Sequence, residues 1–275
     1  MDGDDLVGAS LDELQEASLM RSPPFFSCFL GALYVPALAY GHDLFINTAG
    51  GAVTPRESPQ NFAFEMRASL YQPDIDTEPS LGGRRPYEDM FGSTPRFLLG
   101  MEFDWQALRI PYIGTLGPGI EIACTVFEAE SFQGGAGTRS GDNNSLWVIP
   151  GYLDAVFRVD VFPRNLGVPF VPYAKGGFGW GIWWVTNEYG IAEYKNGQRV
   201  EKGQGYSLGF HVAAGLTFQL DILDPSAARS LDEWTGINHI YLFGEFTKSV
   251  LNGLGEGDSL RLGSNMWTAG LTFEF

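Results

Sequence analysis

No stretch of this 275-residue chain is apolar for long enough to read as a transmembrane helix. The longest run, Phe25 to Tyr40, is broken by Ser27, Cys28 and Pro36. Cysteine is almost absent: Cys28 and Cys124 are the only two, too few for a disulfide scaffold. Positive charge is scarce as well, with 17 Lys and Arg against 33 Asp and Glu and a formal net charge of -16. That balance excludes a basic stripe for nucleic-acid phosphates and makes charge-driven docking on an anionic membrane surface unfavourable. Three histidines leave little material for acid/base chemistry. The glycine clusters at 134–137 and 176–181 lack the following helix and Lys-Ser/Thr of a phosphate cradle. Asp74, Asp76 and Glu78, Gly141-Asp142-Asn143-Asn144 and Gly255-Glu256-Gly257-Asp258 are rich in oxygen but lack EF-hand spacing, and read as solvated loops.

What is present is glycine (36 residues), aromatic side chains (14%) and a two-residue alternation. The chain ends on Trp267, Ala269, Leu271, Phe273 and Phe275 on one face of a strand, with Thr268, Gly270, Thr272 and Glu274 on the other. The same pattern recurs seven times upstream. Phe62–Leu70 carries Glu65 and Arg67 on its polar face, and Phe97–Gln106 carries Glu102 and Asp104. Ile120–Val126 sets Ile120, Ile122, Cys124 and Val126 against Glu121 and Thr125. Trp147–Asp160 presents Asp154, Arg158 and Asp160. Val171–Val185 presents Lys175 and three glycines, Tyr206–Leu220 presents Ser207 and His211, and Ile240–Phe246 presents Glu245. Mean hydropathy is near zero (-0.05), as expected when apolar and polar residues alternate.

Eight strands with an apolar face and a charged face predict an all-β fold: an eight-stranded antiparallel transmembrane β-barrel. The long polar connections 72–95, 129–145, 186–204 and 252–264 are expected outside the cell. The turns 107–118, 163–169 and 222–237 are expected in the periplasm, with one short helix starting at Asp224-Pro225. An eight-stranded barrel is filled by its own side chains, so Glu65, Arg67, Glu102, Asp104, Glu121, Asp154, Arg158, Lys175 and Glu245 are expected to meet in a polar interior. Gly177, Gly179 and Gly181 make room for bulky neighbours there. Alternation alone leaves a soluble lipocalin-like barrel with the faces reversed as the rival.

The N-terminal region divides further. Met20-Arg21, the apolar run and Ala37-Leu38-Ala39 read as a signal peptide for Sec export with an A-x-A cleavage site. Residues 1–39 are therefore expected to be a leader. Its acidic part, 1–19, lies upstream of the true start at Met20, and 20–39 is the signal peptide. Residues 40–60 follow as a periplasmic segment, and 61–275 as the barrel. Phe25-Phe26-Ser27 before Cys28 are too bulky for a lipobox.

Three stretches carry a family resemblance. They are Trp147 to Arg158, Val171 to Trp180, and Leu220 to Phe246 with Leu223-Asp224-Pro225-Ser226-Ala227-Ala228-Arg229 and Gly236-Ile237-Asn238-His239. Over Asn61 to Phe275 the chain resembles a family of myxobacterial outer-membrane β-barrel proteins without an established activity. More loosely it is similar to the OmpA/OmpW-like small barrels. The ending on Phe275 resembles the C-terminal signal read by the barrel-assembly machinery. The resemblance implies an outer-membrane location with both termini periplasmic, with membrane lipids, lipopolysaccharide and that machinery as partners. It transfers no catalytic residue.

From the residues themselves no catalytic, cofactor-binding or metal-binding set is assigned. His211 and Ser207 face the lumen, whereas a lipid-modifying hydrolase needs its His/Ser pair and carboxylate on the outward surface. His42 precedes the barrel and His239 starts the seventh strand. Trp147, Trp180, Trp183 and Trp184 read as an interfacial aromatic belt. The function expected is that of a structural or surface-interaction protein of the cell envelope. A narrow, porin-like transport barrel for small solutes is the alternative, and a lipid-modifying enzyme stands behind both.

Overall fold

The computed structural model describes residues 61–132, 139–196, 199–255 and 259–275. The leader 1–39 and the segment 40–60 lie outside them. Eight antiparallel strands form a closed barrel: β1 Phe62–Tyr71, β2 Arg96–Trp105, β3 Gly114–Phe132, β4 Arg139–Arg158, β5 Phe170–Asn187, β6 Gln204–Gln219, β7 His239–Leu251 and β8 Ser264–Glu274. Each strand pairs with its sequence neighbour, and β1 closes on β8 through Ala63↔Glu274 to Ser69↔Thr268. The Phe62 and Phe275 backbones exchange hydrogen bonds at 2.8 and 2.9 Å, sealing the seam. From Ala63 to Ser69, β1 is thereby paired on both sides and presents no open edge.

The ends of the barrel differ. At the turn end, 106–113 includes a short strand, Leu108–Ile110, folded back on the start of β3. The expected turn 107–118 is thus shorter, because Gly114 and Thr115 already belong to the ladder opposite Arg158. The 220–238 connection contains α2, Pro225–Thr235. The Asp224 carboxylate accepts from the Ser226 and Ala227 amides, and Gly236 closes the helix in the left-handed region. At the loop end, 72–95 contains the short helix α1, Pro86–Phe91.

The loop expected at 129–145 is largely strand. Ala129↔Asn144 and Glu130↔Asn143 continue the ladder, so β3 and β4 reach 19 and 20 residues. In 188–203 the chain doubles back as Gly190–Ile191 and the pair Glu193–Asn196 with Arg199–Lys202.

The strands put their apolar face outward. Met66, Phe97, Ile120, Leu153, Ile182, Phe210, Leu242 and Trp267, one from each strand, are all more than two-fifths exposed. All nine charged residues expected inside are 5% exposed or less. The lipocalin-like alternative has the opposite arrangement and does not describe this molecule. Asp160 is a different case: it lies past the end of β4 and pairs with Arg109 and Arg164, each at 3.1 Å. Val126, expected on the outer face, is buried; it lies opposite Trp147 in the ladder.

Candidate functional site

The interior is layered along the barrel axis. At the turn end is a cavity of about 460 Å³ whose lining includes Thr115, Arg158, Thr217, His239, Tyr241 and Glu274. Its walls are hydrogen-bonded: Tyr241 donates to Glu274 at 2.8 Å, and His239 Nδ1 lies 2.5 Å from Asp221. Arg158 lines this cavity and also belongs to the ion-pair network of the next layer.

The middle layer is an ion-pair network that links strands far apart in sequence. Arg67 on β1 pairs with Glu65 at 2.7 Å, with Glu121 at 3.4 Å, and with Glu102 and Glu245. Arg158 on β4 reaches Glu65 at 2.7 Å and Asp104 at 2.5 Å. Lys175 on β5 reaches Glu102 at 2.5 Å, Glu65 at 3.0 Å and Glu245 at 3.5 Å. Glu65 thus touches all three cations and is the hub. Taking such groups out of water costs several kcal/mol each unless opposite charges surround them, and here they do. Aromatic faces complete the surroundings, with the Arg67 guanidinium over Phe243 and the Lys175 ammonium over Tyr173.

The loop end is closed by an apolar plug, where the expectation of a wholly polar interior fails. Tyr71, Leu98, Phe127, Leu146, Val148, Tyr152, Leu251 and Met266 come from the strands, while Ile75, Tyr87 and Leu262 come from the connections. The loops enter the barrel because the backbone there is anchored. Tyr71 donates to the Leu262 carbonyl at 2.7 Å, Ser207 donates to that of Leu260, and Asp74 N–H bonds Gly263 at 2.9 Å. Trp183, expected in the outer belt, packs against this plug.

The glycines of β5 lie beneath these groups. A Cβ at Gly179 would fall 2.7 Å from Leu251 and 2.9 Å from Tyr152, and one at Gly181 2.7 Å from Leu262. Gly177 separates Asp154 from His211 in the ladder, and its missing side chain lets His211 Nδ1 approach Asp154 Oδ1 to 3.1 Å. The Tyr152 ring stacks on His211 at 4.1 Å. Ser207 bonds a carbonyl and is remote from any outward catalytic arrangement.

The acidic loop residues also have structural duties. The Asp76 carboxylate accepts from the Tyr87 and Glu88 amides, both at 2.9 Å, capping α1, and Glu78 takes Arg261 at 2.7 Å. Residues 256–258 lie outside the described set.

One convergence escaped the sequence reading. Glu121, Asp154 and His211, on β3, β4 and β6, each offer a donor atom within 4.8 Å of the others. Their inward direction follows from strand parity. Their common level does not, because it depends on the stagger between strands.

No family model and no curated protein matches this chain. Among solved structures it is similar to Neisserial surface protein A (13% identity, 78% of this chain and 97% of that one, TM-score 0.41). It is also similar to the attachment invasion locus protein Ail of Yersinia pestis in complex with the heparin analogue sucrose octasulfate (12%, 78% and 97%, 0.40). A third likeness is to OprG of Pseudomonas aeruginosa, an outer membrane protein (12%, 78% and 96%, 0.37).

Proposed function

We propose that this chain is an outer-membrane β-barrel protein of the cell envelope with a structural or surface-interaction role. The observation that carries the reading is the inverted arrangement of its faces: large apolar side chains surround the outside, and the charges are inside. In water such an exterior would associate, whereas hydrocarbon is the solvent it matches. Each strand has at least the 10 residues of β1 and β2, and about 9–11 tilted residues cross a bilayer. Aromatic groups flank the apolar band, with Phe62, Phe103 and Phe275 together near the turn end and Trp147 on Trp184 toward the loop end.

The orientation proposed puts the turn end and both termini in the periplasm after Sec export, with the loops outside. Outer-membrane lipids and lipopolysaccharide are then the surroundings, and the barrel-assembly machinery engages the strand ending in Phe275. Membership of a myxobacterial family of such barrels is part of this proposal and rests on the sequence resemblance over Asn61 to Phe275 alone.

The plug and the ion-pair layer favour an interaction role over the transport alternative, since the described residues fill the lumen at two levels. The lengths of β3 and β4 carry that hairpin beyond the span, where it offers an exposed surface. Expression from Met20 followed by membrane fractionation tests the proposal. A band in the outer-membrane fraction that migrates faster unboiled than boiled supports it. A soluble periplasmic product without a mobility shift overturns it. Ion conductance in planar bilayers would favour the transport reading, and loss of a lipid A acyl chain on expression would favour the enzyme.

A further inference from the structure

Among the described residues the lumen holds seven buried carboxylates, Glu65, Glu102, Asp104, Glu121, Asp154, Glu245 and Glu274, against three permanent cations, Arg67, Arg158 and Lys175; Glu274 is held at the turn end by Tyr241 and Gln106. The shortfall of positive charge is unevenly distributed. The cations surround Glu65, Glu102, Asp104 and Glu245. Glu121 receives one ion pair, Arg67 Nε to Oε1 at 3.4 Å, and its Oε2 has no hydrogen-bond partner. Asp154 meets the imidazole of His211 through Oδ1, and its Oδ2 has no partner either. His211 Nε2 is the third unpartnered atom at this place. The three side chains are 4%, 4% and 1% exposed, so bulk water does not supply what is missing.

We propose that Glu121, Asp154 and His211 form a binding site for a divalent transition-metal ion inside the barrel, between the ion-pair layer and the plug. One donor atom from each residue lies within 4.8 Å of the others. An imidazole with two carboxylates is a nitrogen–oxygen set suited to zinc and its first-row neighbours. Two carboxylates also match the charge of the ion, which offsets the local excess of negative charge. Other lumenal oxygens without a hydrogen bond, such as Glu102 Oε1 and Asp104 Oδ1, belong to carboxylates already held by Arg67, Lys175 or Arg158. The site is pre-shaped: Tyr152 stacks on the imidazole, and Gly177 leaves the space across which His211 and Asp154 meet. Each ligand comes from a different strand, so the ion joins β3, β4 and β6.

The full chain from Met20, folded in detergent, is incubated with Zn²⁺ or Co²⁺ and freed of loose ions by gel filtration. Elemental analysis is expected to find one ion per barrel, and the Co²⁺ form to show visible absorption distinct from that of the aquo ion. His211→Ala and Glu121→Gln should each lower retention at least tenfold, and His239→Ala should leave it unchanged. The unboiled gel shift reports whether each variant is folded, and Glu121→Gln, nearly isosteric, serves if His211→Ala does not fold. The proposal is overturned if the wild-type barrel retains less than one ion. It is equally overturned if the bound Co²⁺ has the aquo spectrum, or if folded variants retain as much metal as wild type.

Discussion

Gly177 shows how one missing side chain organises the interior. A Cβ there would lie 2.0 Å from the Leu153 carbonyl oxygen and 2.7 Å from Asp154 Oδ1, so backbone as well as side chain must move. Gly177→Val is expected to abolish the heat-modifiable form, whereas Gly244→Ala, with open space around its Cβ, should preserve it. At the turn end, burial pushes the Asp221 carboxyl upward. Hydrogen bonds from His239 and Gln219 outweigh that effect and hold it below the ordinary aspartate value of 3.8. A depressed folded pKa gives stability that is present above the ordinary value and lost as pH falls through the folded one. The Ile240 amide, which donates to Asp221 at 3.2 Å, should therefore be protected from hydrogen exchange at neutral pH and lose protection in acid below that range. Equal protection at both ends of the titration would contradict the pairing.

At the scale of elements, the network and the cap make separable predictions. Arg67 is surrounded by four carboxylates; Arg67→Leu leaves Glu121 without its ion pair and leaves Glu65, Glu102 and Glu245 to Lys175 and Arg158. Breaking a buried ion pair from one side costs about 3–5 kcal/mol. Urea unfolding of the variant in detergent should show a loss at least that large, with partial recovery when Glu102→Gln is added. Helix α2 has no buried residue and depends on its ends. Asp224→Ala removes both cap hydrogen bonds and is expected to fray the first turn. It should speed amide exchange in Pro225–Thr235 and leave the unboiled gel shift of the barrel intact.

For the molecule as a whole, the decisive quantity is which solvent the outer face prefers. Val212 is 58% exposed on β6, well inside the strand. If lipid surrounds it, Val212→Arg destabilises the folded barrel by about 2–4 kcal/mol near the bilayer midplane. If water surrounds it, the same change is nearly neutral. Unfolding titrations in lipid vesicles distinguish the two. The plug predicts a second global property, a closed lumen. Phe127→Ala, which removes a ring packed on Tyr71, Tyr87 and Phe91, should cost about 3–5 kcal/mol. Conductance should stay near background, since the Arg67, Arg158 and Lys175 layer lies beyond the plug.

The sequence by itself determined the local part of this structure. The strand period of two places Phe64, Met66 and Leu70 on one face and Glu65 and Arg67 on the other. Asp224-Pro225 marks the start of α2, and the number of alternating segments sets the number of strands. These are properties of a few consecutive residues and survive without knowledge of the rest. Period-two alternation is unchanged when a sheet curls the other way; the leader, the long and short connections and the last strand pointed the charges inward, and the closed barrel buries them there. Tertiary structure alone decided that Leu262 and Tyr87 turn inward, which depends on anchoring by Tyr71 and Gly263 across the barrel mouth. Above all it set the stagger between strands. Parity points Glu121, Asp154 and His211 into the lumen, but they reach one level only because the barrel closes with a particular shear and Gly177 leaves a gap between them.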